Sequence, residues 1–107
     1  MSENSNLLLK AKMFRGFADP TRLSILESLR DGERSVGSIA ELTQQSQSNV
    51  SNHLSCLKEC GLVVSKRDGK NVCYSIANSL VKNLLNDGDL VLDEVRECIQ
   101  SCARYDH

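Results

Sequence analysis

The segment Ser46–Gly61 constrains the fold of this chain more than any other part, because its apolar residues repeat with helical spacing. Val50, Leu54 and Leu57 lie at i, i+4 and i+7 and predict a stripe that faces the core. Short polar side chains gather on the opposite side of the same helix, namely Ser48, Ser51, Asn52 and Ser55. The segment is therefore predicted to be an amphipathic helix whose outer face suits the major groove of DNA.

The same helix carries two cysteines between its apolar and polar faces. Cys56 and Cys60 are four residues apart, so their Cβ atoms are expected to lie about 5–6 Å from each other. A disulfide within the pair needs Cβ atoms about 3.5–4.5 Å apart and is not expected. The pair is interpreted as a metal or redox site. The alternative is that both side chains fill gaps in the core as small apolar groups.

The start of the chain has no apolar run long enough for a secretory signal or a membrane span. We therefore expect a cytoplasmic protein without membrane association, in which thiols stay reduced. The cysteines are Cys56, Cys60, Cys73, Cys98 and Cys102. In that compartment they are expected to be metal ligands, reactive thiols or core residues rather than a disulfide framework.

Chain length predicts a single domain that spans residues 1–107. A domain of this size buries a modest core and often relies on a partner chain. The formal net charge of −1 excludes a uniformly basic surface. Residues 87–107 hold six acidic and two basic residues, which leaves 11 basic and eight acidic residues in 1–86. This asymmetry permits a basic face outside the C-terminal region.

Further helices are predicted on either side of this segment. The expected helices cover Leu7–Phe17, Asp19–Gly32, Ser35–Thr43 and Ser46–Gly61, and a last helix begins at Asn78. Residues 1–6 are polar and are expected to be frayed. The second helix opens on an Asp-Pro pair, a strong start signal, and its predicted buried face is Leu23, Leu26 and Leu29. Gly88 leaves open whether the last stretch is one bent helix or two helices.

Residues 62–76 change to a β pattern. Asp68 and Gly69 separate two β-prone runs and predict a tight hairpin. Its basic residues Lys66, Arg67 and Lys70 are interpreted as contacts to DNA phosphates rather than as routine surface charge. A short helix, a turn, a polar-faced helix and a hairpin predict a mostly α fold with a small β-hairpin, the winged helix-turn-helix.

The predicted base-reading residues lie on the outer face of the Ser46 helix. They are Gln47, Ser48, Ser51, Asn52 and Ser55. Glutamine and asparagine can read adenine, and serine can contact bases or phosphates. The alternative is a plain solvated face.

Several stretches together resemble the ArsR/SmtB family of metal-sensing repressors. They are Asp19-Pro20-Thr21-Arg22 with Ile25-Leu26, residues 47–54 with Leu57, and Gly61-Leu62-Val63. The resemblance runs from about Leu7 to Ile76. It implies a homodimer formed through the first and last helices, which binds operator DNA when metal-free and releases it when metal is bound.

Within this family, residues 51–64 look like the CmtR type, which senses cadmium and lead. That type takes two thiolates from the recognition helix, matched here by Cys56 and Cys60. A third comes from a C-terminal cysteine of the other subunit. Cys102 is the nearest match by position, and Cys98 is a second candidate. Thiolates favour soft ions, so Cd(II) or Pb(II) is expected as inducer, with Zn(II) or As(III) as alternatives.

Two metal sites of other family members are not expected here. Where some members carry Cys-Val-Cys, this chain has residues 35–37, Ser-Val-Gly. Others bind zinc through Asp and His pairs on the last helix. This chain has Asp89 and Asp93 there but no histidine before His107.

Cys73 is expected to pack or to face solvent and remains a fallback ligand. His53 is interpreted as a structural or phosphate-facing residue, although it lies one turn before Cys56.

No pattern in the sequence indicates catalysis. There is no glycine-rich phosphate loop, and no cysteine has the neighbouring histidine and acid that nucleophilic catalysis usually needs. An enzyme and a small organic substrate are therefore not expected. Two alternatives stay open: a repressor that senses thiol oxidation or persulfides through the same cysteines, and a metal-storage or trafficking protein that binds no DNA.

Overall fold

A computed structural model describes residues 3–105 of the chain, so His107 lies outside the described residues. The elements are α1 (Glu3–Ala18), α2 (Pro20–Ser28), β1 (Arg34–Ser35), α3 (Val36–Thr43), α4 (Gln47–Glu59), β2 (Val63–Asp68), β3 (Asn71–Ile76) and α5 (Ser79–Ser101), followed by a 3-10 turn over Ala103–Tyr105. The predicted order of four helices, a hairpin and a last helix is confirmed. Within the described residues, every helix is too short or too polar to span a bilayer.

Local hydrogen bonds fix where α2 and α4 begin. Asp19 accepts a bond from the backbone N–H of Arg22 at 3.0 Å before α2. Ser46 accepts one from the N–H of Asn49 at 3.1 Å before α4. Each such cap pairs an otherwise unsatisfied donor and stabilises its helix by about 1 kcal/mol. Gln44 adopts a left-handed φ of 57°, which ends α3 and turns the chain toward α4.

Several predicted helix limits differ from the structure, and α4 ends at Glu59 rather than at Gly61. α1 includes residues 3–6, which were expected to be frayed, because polar residues lack an apolar period yet can extend an existing helix at little cost. α2 ends at Ser28 rather than at Gly32, since Leu29 is already its C-cap. α5 is one continuous helix, so the break considered at Gly88 does not occur.

The core is built where α2, α3 and α4 meet the hairpin and α5. Its buried residues are Ile25, Leu26, Leu29, Ile39, Ala40, Val50, Leu54, Leu57, Leu62, Val63 and Leu85. The predicted stripe of α4 is therefore confirmed. On α2 the assignment of Leu23 to the buried face is wrong, because Leu23 is 37% exposed and Ile25 is fully buried instead.

The hairpin belongs to a three-stranded antiparallel sheet with β3 in the middle. Asp68 pairs with Asn71, so the loop is Gly69-Lys70, one residue later than predicted. Gly69 has a φ of 63°, which suits the first position of a type II′ turn. The unpredicted strand β1 has only two residues, too few to show an alternating pattern.

An apolar groove of about 620 Å³ runs between α1, α2 and α5. Its apolar lining residues are Phe14, Phe17, Leu23, Leu84, Leu85, Val91, Leu92, Val95 and Ile99. Val91 is 59% exposed and Phe14 is 46% exposed. The single chain thus leaves one side of its first and last helices uncovered.

Candidate nucleic-acid interface and thiol pair

The outer face of α4 is a continuous polar surface. Val50 and Leu54 are fully buried, and they hold the helix against the core in one rotational setting. The predicted base-reading residues Gln47, Ser48, Ser51, Asn52 and Ser55 are all exposed. Because α4 has 13 residues, this face is about 20 Å long, a length that fits a major groove.

The hairpin of β2 and β3, here called the wing, carries basic side chains on both of its faces. Lys66, Arg67 and Lys70 are all exposed. Side chains alternate along β2, so Arg67 shares a face with Ser65 while Lys66 lies on the other. Sequence reasoning missed Lys58, whose Nζ donates to Ser65 Oγ at 2.7 Å and joins α4 to the wing. Its spacing from Ser51 and Ser55, seven and three residues, is the signal that could have indicated it.

The structure places the two thiols of α4 one helical turn apart on the same flank of the helix. Cys60 is the C-cap of the helix, and its N–H donates to the carbonyl oxygen of Cys56 at 3.0 Å. Desolvation raises the pKa of the Cys60 thiol, and the charge of Cys56 and a hydrogen bond with it raise this pKa further. Positive charge on Arg22 and Lys12 acts in the opposite direction. The pair therefore lies on the flank of α4 that faces these two cations.

His53 lies on this same flank, one turn before Cys56. Arg22 Nε donates to His53 Nδ1 at 3.4 Å, and His53 is partly buried. In this contact the ring nitrogen Nδ1 of His53 is the acceptor. His53 thus links α2 to α4, which supports the structural interpretation.

The other cysteines lie away from the thiol pair within one chain. Cys98 is exposed on α5, Cys102 is partly buried at its C-cap, and Cys73 is partly buried on β3. Among residues 3–105, no three His, Cys, Asp or Glu side chains lie close enough together to hold a metal ion. The donors on α4 suit a soft ion, but one described chain supplies only two of them.

Asp89 and Asp93, the acids of α5 that were considered for a zinc site, each form an ion pair with an arginine. Asp89 pairs with Arg30 at 2.9 Å, and Asp93 pairs with Arg96 at 3.2 Å. Both carboxylates therefore have partners that do not require a metal ion.

Known proteins with similar sequences are transcriptional regulators. Residues 19–65 match the family model described as bacterial regulatory protein, arsR family. A probable mercury resistance operon repressor from Streptomyces lividans is 38% identical over 94 residues, covering 88% of this chain and 75% of the relative. The regulator CmtR of Mycobacterium tuberculosis is 47% identical over 81 residues, covering 76% and 67%.

Solved structures agree with the sequence comparison. A homodimeric winged helix-turn-helix DNA-binding domain from Mycobacterium bovis, a possible ArsR-family regulator, matches with a TM-score of 0.80 and 34% identity, covering 91% of this chain and 92% of that one. The cadmium metal-sensor CmtR of M. tuberculosis matches with a TM-score of 0.64 and 45% identity, covering 72% and 80%.

The fold and the outer face of α4 define a winged helix-turn-helix DNA-binding protein. The chain belongs to the arsR family of bacterial regulatory proteins. It is a transcriptional repressor and not an enzyme.

Proposed function

We propose that this repressor binds its operator as a metal-free homodimer and releases it when Cys56 and Cys60 bind a soft metal ion. The observation that carries the proposal is the placement of these two thiols one turn apart on the flank of the DNA-facing helix. Two relatives support it, because one is described as a cadmium sensor and the other as a probable mercury resistance repressor. Thiolates favour soft ions. Cd(II) or Pb(II) is the proposed inducer, with Zn(II) or As(III) as alternatives.

The proposal takes the third ligand from a second subunit. In the described part of one chain no third donor lies near the pair, so a ligand from another chain would complete the set. Cys102 of the partner subunit is favoured because it lies where α5 ends and its backbone becomes extended. Cys98 is the second candidate. A bound ion would supply a bond between the flank of α4 and this tail.

The surroundings of the pair act on the Cys60 thiol in both directions, because desolvation and Cys56 raise its pKa while Arg22 and Lys12 lower it. Each thiol must lose a proton before it binds metal, so affinity is expected to fall as pH decreases. Arg22 and Lys12 lie near enough to favour the thiolate of Cys60. They would also offset part of the negative charge that thiolate ligands bring to the site.

In the metal-free dimer, the two α4 helices would enter successive major grooves. Half-sites in this arrangement lie about 10–10.5 bp apart, or a multiple of that spacing. Gln47, Ser48, Ser51, Asn52 and Ser55 would face base edges and nearby phosphates, while Arg67 and Lys70 would contact the backbone. Metal-driven release then needs a coupling free energy of about 1–3 kcal/mol or more.

DNA binding and reduced thiols both indicate the cytoplasm, with residues 1–107 acting as one domain.

Substitution of the thiol pair tests the metal site. We expect Cys56→Ser and Cys60→Ser each to abolish cadmium-driven release and to leave metal-free operator affinity within about twofold, because a hydroxyl cannot replace a soft thiolate at neutral pH. Cys102→Ser should weaken the response. Cys73→Ser is the matched control. The measurement is operator affinity with and without Cd(II), and a full response in the Cys56→Ser, Cys60→Ser double variant would contradict this site.

A metal titration under reducing conditions separates the metal sensor from a thiol-oxidation or persulfide sensor. Sulfur-to-metal charge-transfer absorption is followed for Cd(II), Pb(II), Zn(II), Hg(II) and As(III) with operator DNA present. Release that tracks the absorption supports metal sensing. Release only after an oxidant or persulfide is added would favour the redox sensor.

The DNA face is tested by its salt dependence. Arg67→Ala should weaken binding to all sequences about equally and lower the salt slope by about one unit, because one phosphate contact is lost. Asn52→Ala should change base preference instead. Failure of the wild-type protein to prefer its own promoter over random DNA would favour the storage protein.

A further inference from the structure

The last turn of α4 meets the wing through one polar contact. Lys58 Nζ donates to Ser65 Oγ at 2.7 Å. An ammonium group has three donors, and a serine that accepts a bond keeps its own proton as a donor. Lys58 has no carboxylate partner in the described part of the chain. The contact therefore leaves donors on both residues available at an exposed position.

The position of Lys58 on α4 aligns it with the DNA face. Lys58 follows Ser51 by seven residues and Ser55 by three, so it extends their side of the helix by another turn. The thiols lie on the opposite flank, toward Arg22. Lys58 is thus the basic residue of α4 that lies between the polar face and the wing.

Ser65 extends this row onto the hairpin. It pairs with Tyr74 across the sheet, and it shares one hairpin face with Arg67 two residues later. The acid Asp68 belongs to the other face. From the helix to the wing the row reads Lys58, Ser65, Arg67, with one positive charge on each side of a hydroxyl group.

We propose that Lys58 and Ser65 form a phosphate-binding site for duplex DNA where the recognition helix and the wing separate. This inference rests on the operator binding proposed above. Ser65 holds the lysine in place before DNA arrives, so less side-chain entropy is lost when the phosphate binds. Such a contact carries no sequence information, but it fixes the angle at which α4 enters the groove. A structural alternative is that Lys58 only pairs with the carbonyl end of the α4 dipole.

The salt dependence of DNA binding distinguishes these two roles. In Lys58→Gln the side chain keeps a donor for Ser65 but loses its charge. We expect the negative slope of log affinity against log salt concentration to become shallower by about 0.9, for operator and random duplexes alike. Lys58→Arg should keep the slope. Ser65→Ala should weaken both duplexes about two- to fivefold without changing the slope, because the serine is neutral.

Lys82→Gln is the matched control, since Lys82 is an exposed lysine on α5. Its slope should equal that of the wild type, and circular dichroism should show all variants folded. A wild-type slope in Lys58→Gln would overturn the phosphate site, and unchanged affinity in Ser65→Ala would overturn the role of the serine. Neither result affects operator binding itself, which fails only if the metal-free wild type does not bind.

Discussion

At the scale of single residues, Cys60 has the most perturbed environment among the candidate ligands. Desolvation, the charge of Cys56 and a hydrogen bond with Cys56 all raise the pKa of its thiol. The thiolate of Cys60 therefore forms at a higher pH than that of an ordinary cysteine. Two of these three causes come from one neighbouring side chain, so they can be removed by one substitution.

We predict that Cys56→Ser lowers the pKa of Cys60. Replacing the neighbouring thiol removes both its charge and its present hydrogen bond, so the thiolate should form at lower pH. Lys12→Gln should have the opposite effect, because it removes a positive charge that favours the thiolate. The measurement is the rate of alkylation of Cys60 against pH, resolved by peptide mass spectrometry. An unchanged or higher midpoint in Cys56→Ser would show that the two thiols do not interact.

At the scale of helices, Arg30, in the turn after α2, connects α2 to α5. Its guanidinium donates to Asn86 Oδ1 at 2.6 and 3.2 Å and pairs with Asp89 at 2.9 Å, both on α5. A third partner is Glu27 on α2, at 2.6 Å. Hydrogen bonds to Glu27 and Asp89 raise the pKa of Arg30, so the cation is permanent. Arg30 therefore helps to set the orientation of α5, which bears Cys98, relative to the DNA-binding elements.

Asp89→Ala should lower the Tm of the protein, and Asp93→Ala should not. Both residues are exposed acids on α5 that pair with an arginine. Only the Asp89 pair joins α5 to another part of the chain, the turn after α2, whereas the Asp93 pair lies within one turn of α5. Exposed pairs of the second kind contribute little to stability. Thermal unfolding followed by circular dichroism makes the comparison, and equal Tm values for the two variants would contradict a role for Arg30 in joining the helices.

Sequence patterns predicted the elements that have a strong period and missed features that depend on tertiary contacts. The stripe of α4 was predictable because Val50, Leu54 and Leu57 repeat at helical spacing. β1 was not, since it exists only through its pairing with β3. The contact of Ser65 with Lys58 was not predictable either, because it depends on how the hairpin packs against the end of α4. The placement of Cys56 and Cys60 on one flank of α4 was predictable from their i, i+4 spacing, but the metal ligands stay a prediction.

At the scale of the whole molecule, the chain exposes more surface than a compact monomer. Its accessible area is 7927 Å², while a monomer of 11.8 kDa is expected to expose about 5,900 Å². Its radius of gyration is 15.2 Å, against about 13 Å for a compact domain of this length. Most of the exposed large apolar side chains lie on α1 and α5, several of them lining the open groove. A second copy of the chain covering this groove would bury part of that apolar surface.

We therefore predict that Val91→Glu converts the protein to a monomer and weakens operator binding by about a hundredfold or more, because binding through two linked half-sites is lost. Val91 is 59% exposed in the groove, so glutamate there should not disturb the fold of one subunit. It would instead place an unpaired charge in the apolar interface, where burial is costly. Leu42→Glu is the matched control, since Leu42 is 55% exposed on α3 outside the groove. Sedimentation equilibrium and operator titration measure both effects. If Val91→Glu stayed dimeric, or if Leu42→Glu became monomeric, subunits would not associate through α1 and α5.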